Sequence, residues 1–310
     1  MSRSQSQTSI TSNEPRIREA IRERRPQKRS KLYSLFNNSL FTALVVIIGL
    51  LWSIPTFGLF VSSFRPGTLI KTTGWWTSLV PPWNFTIENY QQVLSAQGLG
   101  QAFLNSLIIA IPGTLLPLAI GAFAAYAFAW MKFAGRDFIF LGIVALLVIP
   151  SQTAFVPVLQ FFTAIGITGQ YLAVWIAHTA FGLPFSIFLL RNFFAALPND
   201  LIEAAHIDGA SHLRIFTNII LPLSVSALAS LAIFQFMWVW NDLLVSLIFL
   251  GGNPQYAPMT LTVANLVGSY GTNYQVLTAA AFISMALPLI IFFSLQRYFV
   301  RGILAGSVKG

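Results

Sequence analysis

The chain has 310 residues, 55% of them hydrophobic and 9% charged, with a mean hydropathy of +0.71, which predicts an integral membrane protein and excludes a soluble domain. The absence of cysteine excludes disulfides and thiolate metal sites, and three scattered histidines argue against a zinc site. The net charge of +9 lies mostly outside the hydrophobic runs, so membrane topology explains it better than nucleic acid binding.

Residues 1–37 are predicted to form a disordered basic cytoplasmic tail. Nine of the 18 Lys and Arg residues lie in the first 31 positions among few apolar groups, so this segment cannot pack a core. It is not a signal peptide, because the apolar run behind it, Leu40 to Val61, is long enough to span a bilayer and has no cleavage site. A solvated tail that sets the topology is favoured over one that binds anionic lipid head groups.

Residues 38–310 are predicted to form one domain with six membrane-spanning segments. Each segment can supply the ~20 helical residues that a bilayer core requires. When Lys and Arg are counted on alternate sides of these segments, sixteen lie on one side and two on the other, which places both termini in the cytoplasm. The predicted spans are Leu40 to Val61, Phe103 to Trp130, Phe138 to Phe162, Tyr171 to Leu190, Leu223 to Leu250, and Val276 to Leu295.

Several of the six predicted spans contain internal prolines. A proline removes a backbone hydrogen bond and bends a helix, which membrane proteins tolerate where neighbours or a water-filled path satisfy the freed carbonyl. The bends therefore favour a translocation path over a simple anchor, and inert packing kinks are the alternative. The internal prolines include Pro112, Pro117, Pro150, Pro157, Pro184 and Pro288.

The sequence contains no energy source of its own. A carrier driven by protons or sodium usually holds ionisable groups inside the bilayer. Here His178 lies in the fourth span, where we expect a hydrogen bond to a neighbour, and Asp242 lies near the outer end of the fifth, within reach of water. Neither forms a proton relay. The phosphate-binding loop and the protease and esterase motifs are absent, so the chain is predicted not to be an enzyme.

A polar amphipathic segment, residues 199–222, is predicted to form a cytoplasmic hairpin of two short helices. Glu203 follows Asp200 at the spacing of a capping box. Gly209 is the expected stop of the first helix, and Ser211 is the expected cap of the second. The apolar face of the second helix is predicted to contain Leu213, Phe216, Ile219 and Ile220, with Pro222 at its end.

This hairpin resembles the EAA loop of the permeases of binding-protein-dependent ABC importers. Upstream, Arg191, Phe194 and Pro198 are similar to the approach to this loop in the carbohydrate subfamily, although Ser226 stands where a proline is common. The C-terminal residues 302–310 are similar to the end of the maltose-transport permease of the G type, and Trp75-Trp76 and WVWNDLL point to the α-glucoside branch. The residues that match the loop are Glu203, Ala204, Ala205, Asp208, Gly209, Ala210, Phe216, Ile219, Leu221, Pro222 and Leu223.

The resemblance implies an all-α integral membrane fold, the six-helix transmembrane domain of type I ABC importers with cytoplasmic coupling helices. It implies the permease subunit of an ATP-driven sugar importer in the bacterial inner membrane. The implied partners are a second homologous permease, two copies of a cytoplasmic ABC ATPase and an extracytoplasmic solute-binding protein. ATP and Mg would be bound by the ATPase, with no cofactor in this chain.

The same resemblance assigns roles to individual residues. The hairpin would insert into a cleft on the ATPase, and Glu203 would pair there with a basic residue. Asn241 and Asp242 are our choice for the translocation path, and the uncharged outer loop from Gly251 to Gln275 would reach toward the sugar. The ATPase-coupling residues are then Glu203, Ala204, Ala205, Asp208, Gly209, Leu221 and Pro222. In the C-terminal tail, residues 297–310, the ATPase contacts are Gly306, Lys309 and Gly310.

Two other functions remain open at this point. One is a stand-alone secondary transporter or channel. The lack of intramembrane charge and the cytoplasmic hairpin are the features that favour the permease over it. The other is an ABC permease for a solute that is not a sugar.

Overall fold

The computed structural model describes residues 31–95, 98–269 and 274–307, and every regular element in these ranges is helical. Most of the predicted tail therefore lies outside the described residues. Residues 31–37 belong to the first helix, so the prediction of disorder is wrong there. The α-helices are α1 (Lys31–Ser63), α2 (Gly67–Ile70), α3 (Glu88–Ser95), α4 (Leu99–Trp130), α5 (Arg136–Leu146), α6 (Phe155–Ala164), α7 (Tyr171–Phe194), α8 (Asn199–Ile207), α9 (His212–Ile215), α10 (Leu221–Leu223), α11 (Val225–Asn241), α12 (Leu244–Phe249), α13 (Met259–Ser269) and α14 (Tyr274–Ser307).

The chain divides after Phe57 into two units. The first unit is represented by most of α1, whose apolar side chains are exposed, Trp52 to 81%. The second unit contains the remaining elements. By length and composition, four of the described helices can cross a membrane, or six if each of two sharply bent helix pairs counts as one span. An exposed apolar helix surface of this kind suits contact with lipid or with another membrane protein.

The third predicted span, Phe138 to Phe162, is not one continuous helix. The chain bends by 95° between α5 and the short 3₁₀ helix Ser151–Ala154 that leads into α6. Pro150 accounts for the break, because proline cannot donate a backbone hydrogen bond and disfavours a helical residue before it. Pro157 lies in the first turn of α6, where an N–H would have no helical partner, and causes no break.

The fifth predicted span, Leu223 to Leu250, is also divided. Helix α11 begins after a 77° bend from the preceding hairpin and ends at Asn241. Asp242 Oδ2 then accepts the N–H groups of Val245 at 2.9 Å and Ser246 at 3.3 Å, which starts the separate short helix α12. A side-chain cap of this kind ends one helix and orients the next.

Three prolines inside α4 and α14 free carbonyls that other helices satisfy. A helical proline cannot bond to the carbonyl four residues before it, and no water is available for that carbonyl in a membrane core. Each freed carbonyl here accepts an N–H from a distant side chain, so a hydrogen bond to another helix forms at each of these prolines. The bonds are Trp175 Nε1 to Ile108 O at 2.8 Å for Pro112, Gln235 Nε2 to Gly113 O at 3.2 Å for Pro117, and Trp240 Nε1 to Ser284 O at 3.1 Å for Pro288.

Arg65 organises the segment that follows α1. Its side chain is only 2% exposed, and its guanidinium donates to the carbonyls of Leu69 at 3.3 Å and Thr73 at 3.2 Å and to the hydroxyls of Thr73 and Thr77. Burial lowers the pKa of Arg65, yet the group stays charged because arginine titrates far above neutral pH. Asn89 Nδ2 donates to the carbonyls of Ser63 and Arg65, each at 2.9 Å. The segment that follows α1 is thus folded around one buried cation.

Candidate functional site

The polar segment between α7 and α11 forms a compact hairpin. Its first helix, α8, begins at Asn199, and the capping residue is Pro198, which makes no side-chain hydrogen bond. The capping box predicted for Asp200 and Glu203 is therefore absent, because the helix starts too early for Glu203 to reach its first N–H groups. Asp200 lies in the first turn, where its charge favours the helix dipole.

The turn after α8 confirms that Gly209 stops the first helix of the hairpin. Gly209 has φ +75°, a conformation in which a side chain is strained. Its N–H bonds to His206 O at 3.0 Å, and the Ala210 N–H bonds to Ala205 O at 2.9 Å. This pair of bonds is the Schellman motif, which satisfies the last carbonyls of the helix and reverses the chain.

The second half of the hairpin differs from a regular helix. Ser211 Oγ accepts the Arg214 N–H at 3.4 Å, as predicted for its cap. Residues Phe216–Ile220 then form a π-helical turn ahead of Pro222, which has no N–H to donate. Leu213, which precedes this wider turn, is 63% exposed, so its predicted place on the apolar face is wrong. The buried side chains are Ile215, Phe216 and Ile220.

The inner face of the hairpin is packed against three long helices. One apolar cluster joins residues of the hairpin to residues of α4, α7 and α11. At its edge the Tyr126 hydroxyl and His212 Nδ1 lie 3.0 Å apart and share a hydrogen bond. A displacement of the hairpin must therefore move these helices with it. The cluster includes Ile202, Ala205, Ile215 and Phe216 of the hairpin and Tyr126, Leu190, Phe194 and Leu231 of the long helices.

The outer face of the hairpin carries most of the predicted coupling residues. Ala205 is only 8% exposed and packs in the cluster, and Leu221 is half-buried against it. Ile207 is 86% exposed, an apolar side chain to which the sequence patterns assigned no role. Glu203 forms no ion pair with any residue in the described part of the chain. The exposed predicted residues are Glu203, Ala204, Asp208, Gly209 and Pro222.

The predicted C-terminal contact is only partly within the described chain. Helix α14 continues to Ser307, so residues 297–307 of the tail are helical and include Gly306. Lys309 and Gly310 lie outside the described residues.

The two residues chosen for the translocation path lie at the far end of α11 from the hairpin. That helix has 17 residues, or roughly 25 Å at the rise of an α-helix. Asn241 is exposed and donates to Met237 O at 2.7 Å, and Asp242 caps α12. His178 is fully buried, and its ring nitrogens have no hydrogen-bond partner among the described residues, so the predicted bond is wrong. Its Nε2 lies 4.0 Å from Asp242 Oδ2, which is occupied by the cap.

Part of the uncharged outer loop is bound to the chain itself. Asn105 Nδ2 donates to the carbonyls of Gln255 at 2.9 Å and Ala257 at 3.0 Å, and Asn105 Oδ1 accepts the Tyr171 hydroxyl at 2.7 Å. Met259, which begins α13, is fully buried. The first half of this loop is therefore folded onto α4 and α7.

Known proteins are similar to this chain along most of its length. The family model of the binding-protein-dependent transport system inner membrane component matches residues 117–305. The osmoprotective compounds uptake permease protein GgtD of Synechocystis sp. is 57% identical over 268 residues, which cover 86% of this chain and 90% of that relative. The alpha-glucoside transport system permease protein AglG of Rhizobium meliloti is 53% identical over 239 residues, which cover 76% of this chain and 63% of that relative.

A solved structure shares the arrangement of helices. It is a chain of a bacterial ABC transporter involved in the import of the acidic polysaccharide alginate, with a TM-score of 0.74, 20% identity, and coverage of 87% of this chain and 98% of that one. At this level of identity the likeness is one of fold.

Proposed function

This chain belongs to the family of binding-protein-dependent transport system inner membrane components, and on that premise we propose that it is the permease of a sugar importer driven through its hairpin by a separate ATPase. Its all-helical fold is that of a type I ABC importer, and the family is the non-catalytic membrane subunit of such importers.

The names of the relatives support a glycoside as the solute. AglG is named for α-glucoside transport, and the identity of this chain to it is 53%. The α-glucoside class agrees with the sequence resemblance, and we propose a neutral α-glucoside as the transported molecule. A binding protein on the outer side would deliver it, as the family description implies.

The packing of the hairpin carries the coupling proposal. Its inner face is buried against α4, α7 and α11, whereas its outer face exposes Glu203, Asp208 and Ile207. A free carboxylate beside an exposed apolar side chain suits a protein interface, since the apolar group supplies affinity and the charge supplies orientation. Closure of two ATPase subunits on ATP and Mg would push this surface and so tilt the three helices between inward-open and outward-open arrangements.

The topology and the remaining partners complete the proposal. The charge count supports a cytoplasmic location for the hairpin and both termini, on the side of the ATPase. A second homologous permease would close the pore, and ATP and Mg would be held by two ATPase copies. The C-terminal residues Gly306, Lys309 and Gly310 would lie along the ATPase surface. Asn241 and Asp242 would lie at the outer end of the path.

The decisive experiment compares two glycines of the same backbone geometry. Gly209 and Gly166 both have φ +75°, and a Cβ at either position would meet no atom within 4 Å. We expect Gly209→Asp to reach the membrane normally but to lose ATPase co-purification and uptake. Gly166→Asp, which strains an equivalent turn outside the hairpin, should retain both.

Two results would contradict the proposal. One is normal sugar uptake by Gly209→Asp with the ATPase still bound. The other is solute movement by the isolated chain in liposomes without any ATPase, which would establish a stand-alone transporter.

A further inference from the structure

A cleft of about 560 Å³ opens at the break between α5 and α6. Its volume is within the range of small-molecule sites. Every residue that lines it is uncharged, so it suits a neutral ligand. The residues that line the cleft include Pro150, Gln152, Ala180, Phe181, Pro184 and Trp238.

Irregular backbone faces this cleft at the position of a membrane span. The helix is interrupted between Leu146 and Ser151, and Leu147, Ile149 and Pro150 of the interruption line the cleft. Non-helical backbone is tolerated at membrane depth only where it is buried in protein or lines a water-filled cavity, and broken helices form the substrate sites of many transporters. The break therefore indicates a surface that faces protein or water and not a lipid-facing groove.

Pro184 adds a carbonyl with spare hydrogen-bonding capacity. It lies inside α7 and cannot donate to Ala180 O, four residues before it. Whereas side chains cap the carbonyls freed by Pro112, Pro117 and Pro288, no side chain of the described residues donates to Ala180 O. Ala180 and Pro184 both line the cleft, so an acceptor is available where a ligand hydroxyl can reach it.

Two aromatic rings and one amide complete the lining. Trp238 is 39% exposed, and its Nε1 makes no hydrogen bond with a described residue. The buried His178 ring supports it from behind in an edge arrangement, with ring centroids 5.5 Å apart. Gln152 is exposed, and its side-chain amide likewise bonds to no described residue. A polar amide directed into lipid would be costly, whereas in a sugar site it can both donate and accept.

We propose that Trp238, Phe181, Gln152 and the Ala180 carbonyl form a carbohydrate-binding subsite of the translocation path on this chain. The proposal rests on the proposed function and adds the place where the sugar is held. The apolar face of a pyranose ring stacks on Trp238 or Phe181, and its hydroxyls bond to Gln152 and Ala180 O. A second cleft of about 310 Å³ shares Phe181 and Trp238, so the aromatic pair continues the path beyond the first ring.

The test uses the complete importer in proteoliposomes, with labelled maltose as a two-ring α-glucoside probe. We expect Trp238→Ala and Gln152→Leu each to lower uptake by at least about tenfold, the effect of one lost contact of ordinary strength. ATP hydrolysis stimulated by the loaded binding protein should persist, so fewer sugars move per ATP. The matched controls are Trp52→Ala, at an exposed tryptophan of α1, and Gln160→Leu, at an exposed glutamine of α6 that does not line the cleft.

A direct measurement covers the case in which a variant does not assemble. Azidophenyl α-glucoside is photolysed in the wild-type importer during turnover, and the labelled peptides are mapped. Labelling at residues 150–154 or 180–184 or at Trp238, suppressed by excess maltose, supports the subsite. Labelling confined to other chains or to lipid, while maltose is still transported, overturns it and leaves the proposed function intact. A wild-type importer that moves another solute but no sugar overturns both.

Discussion

Gln235 donates through Nε2 to the carbonyl of Gly113 at 3.2 Å, and that carbonyl is the one that Pro117 leaves without its helical partner. The bond joins α11 to α4. Gly182 of α7 makes room for it, since a Cβ there would lie 2.5 Å from Gln235 Nε2. One buried amide thus compensates a proline kink, joins two helices and packs against a third.

This relationship predicts coupling between Gln235 and Pro117. Gln235→Leu should destabilise the importer by about 1–2 kcal/mol, because it leaves the Gly113 carbonyl unsatisfied in a dry interior. In a Pro117→Ala background the helix regains its own N–H, so the same change should cost about 1 kcal/mol less. Unfolding of the complex in detergent measures both. Equal costs in the two backgrounds would show that the bond does not compensate the proline.

The hydrogen bond from the Trp240 indole to Ser284 O predicts a similar coupling, between Trp240 and Pro288. Trp240→Phe preserves most of the ring packing but removes the N–H that bonds to Ser284 O. We expect a loss of about 1 kcal/mol of stability, which Pro288→Ala should largely remove. Trp52→Phe, at a tryptophan that is 81% exposed, serves as the control and should have little effect. A comparable loss from both tryptophans would indicate that ring size alone matters.

The exposed side chain of Ile207 predicts a contribution of this residue to the affinity for the ATPase. It is 86% exposed, so Ile207→Ser should leave the fold intact. If the side chain is buried in the ATPase cleft, the change should weaken association by about 1–3 kcal/mol, or roughly 10- to 100-fold. Titration of the ATPase onto the permease pair in nanodiscs provides the measurement, and Ile207→Val should bind nearly normally. Unchanged affinity in the serine variant would place this face outside the interface.

The hydrogen bonds of Arg65 predict that this residue stabilises the segment that follows α1. Arg65→Lys retains the charge but loses the planar fork that reaches Leu69, Thr73 and Thr77 together. We expect local stability to fall by about 2 kcal/mol and amide exchange to accelerate across residues 66–79. Lys71→Gln is the matched control, because Lys71 is exposed in the same segment. Unchanged protection in the lysine variant would contradict the central role of this cation.

Patterns among adjacent residues predicted some features of the hairpin correctly and others wrongly. The stop at Gly209 and the cap at Ser211 were correct, because a left-handed turn and a helix start are set by a few neighbouring residues. The capping box at Asp200 and the apolar position of Leu213 were wrong. The capping box fails because α8 is capped by Pro198, two positions before Asp200. Leu213 is exposed because tertiary packing, and not local periodicity, decides which face of the second helix is buried.

By itself, the sequence determined that this is a membrane protein with prolines inside its spans, a polar hairpin between them and no phosphate-binding loop motif. These properties follow from hydropathy, charge and local backbone chemistry. Only the tertiary structure decided which freed carbonyls are bonded and which face a cleft. Gln235 and Gly113 are 122 positions apart, and such a contact is specified by helix packing and not by any local pattern. The same packing buries Ala205, exposes Ile207 and makes the hairpin a rigid extension of three helices.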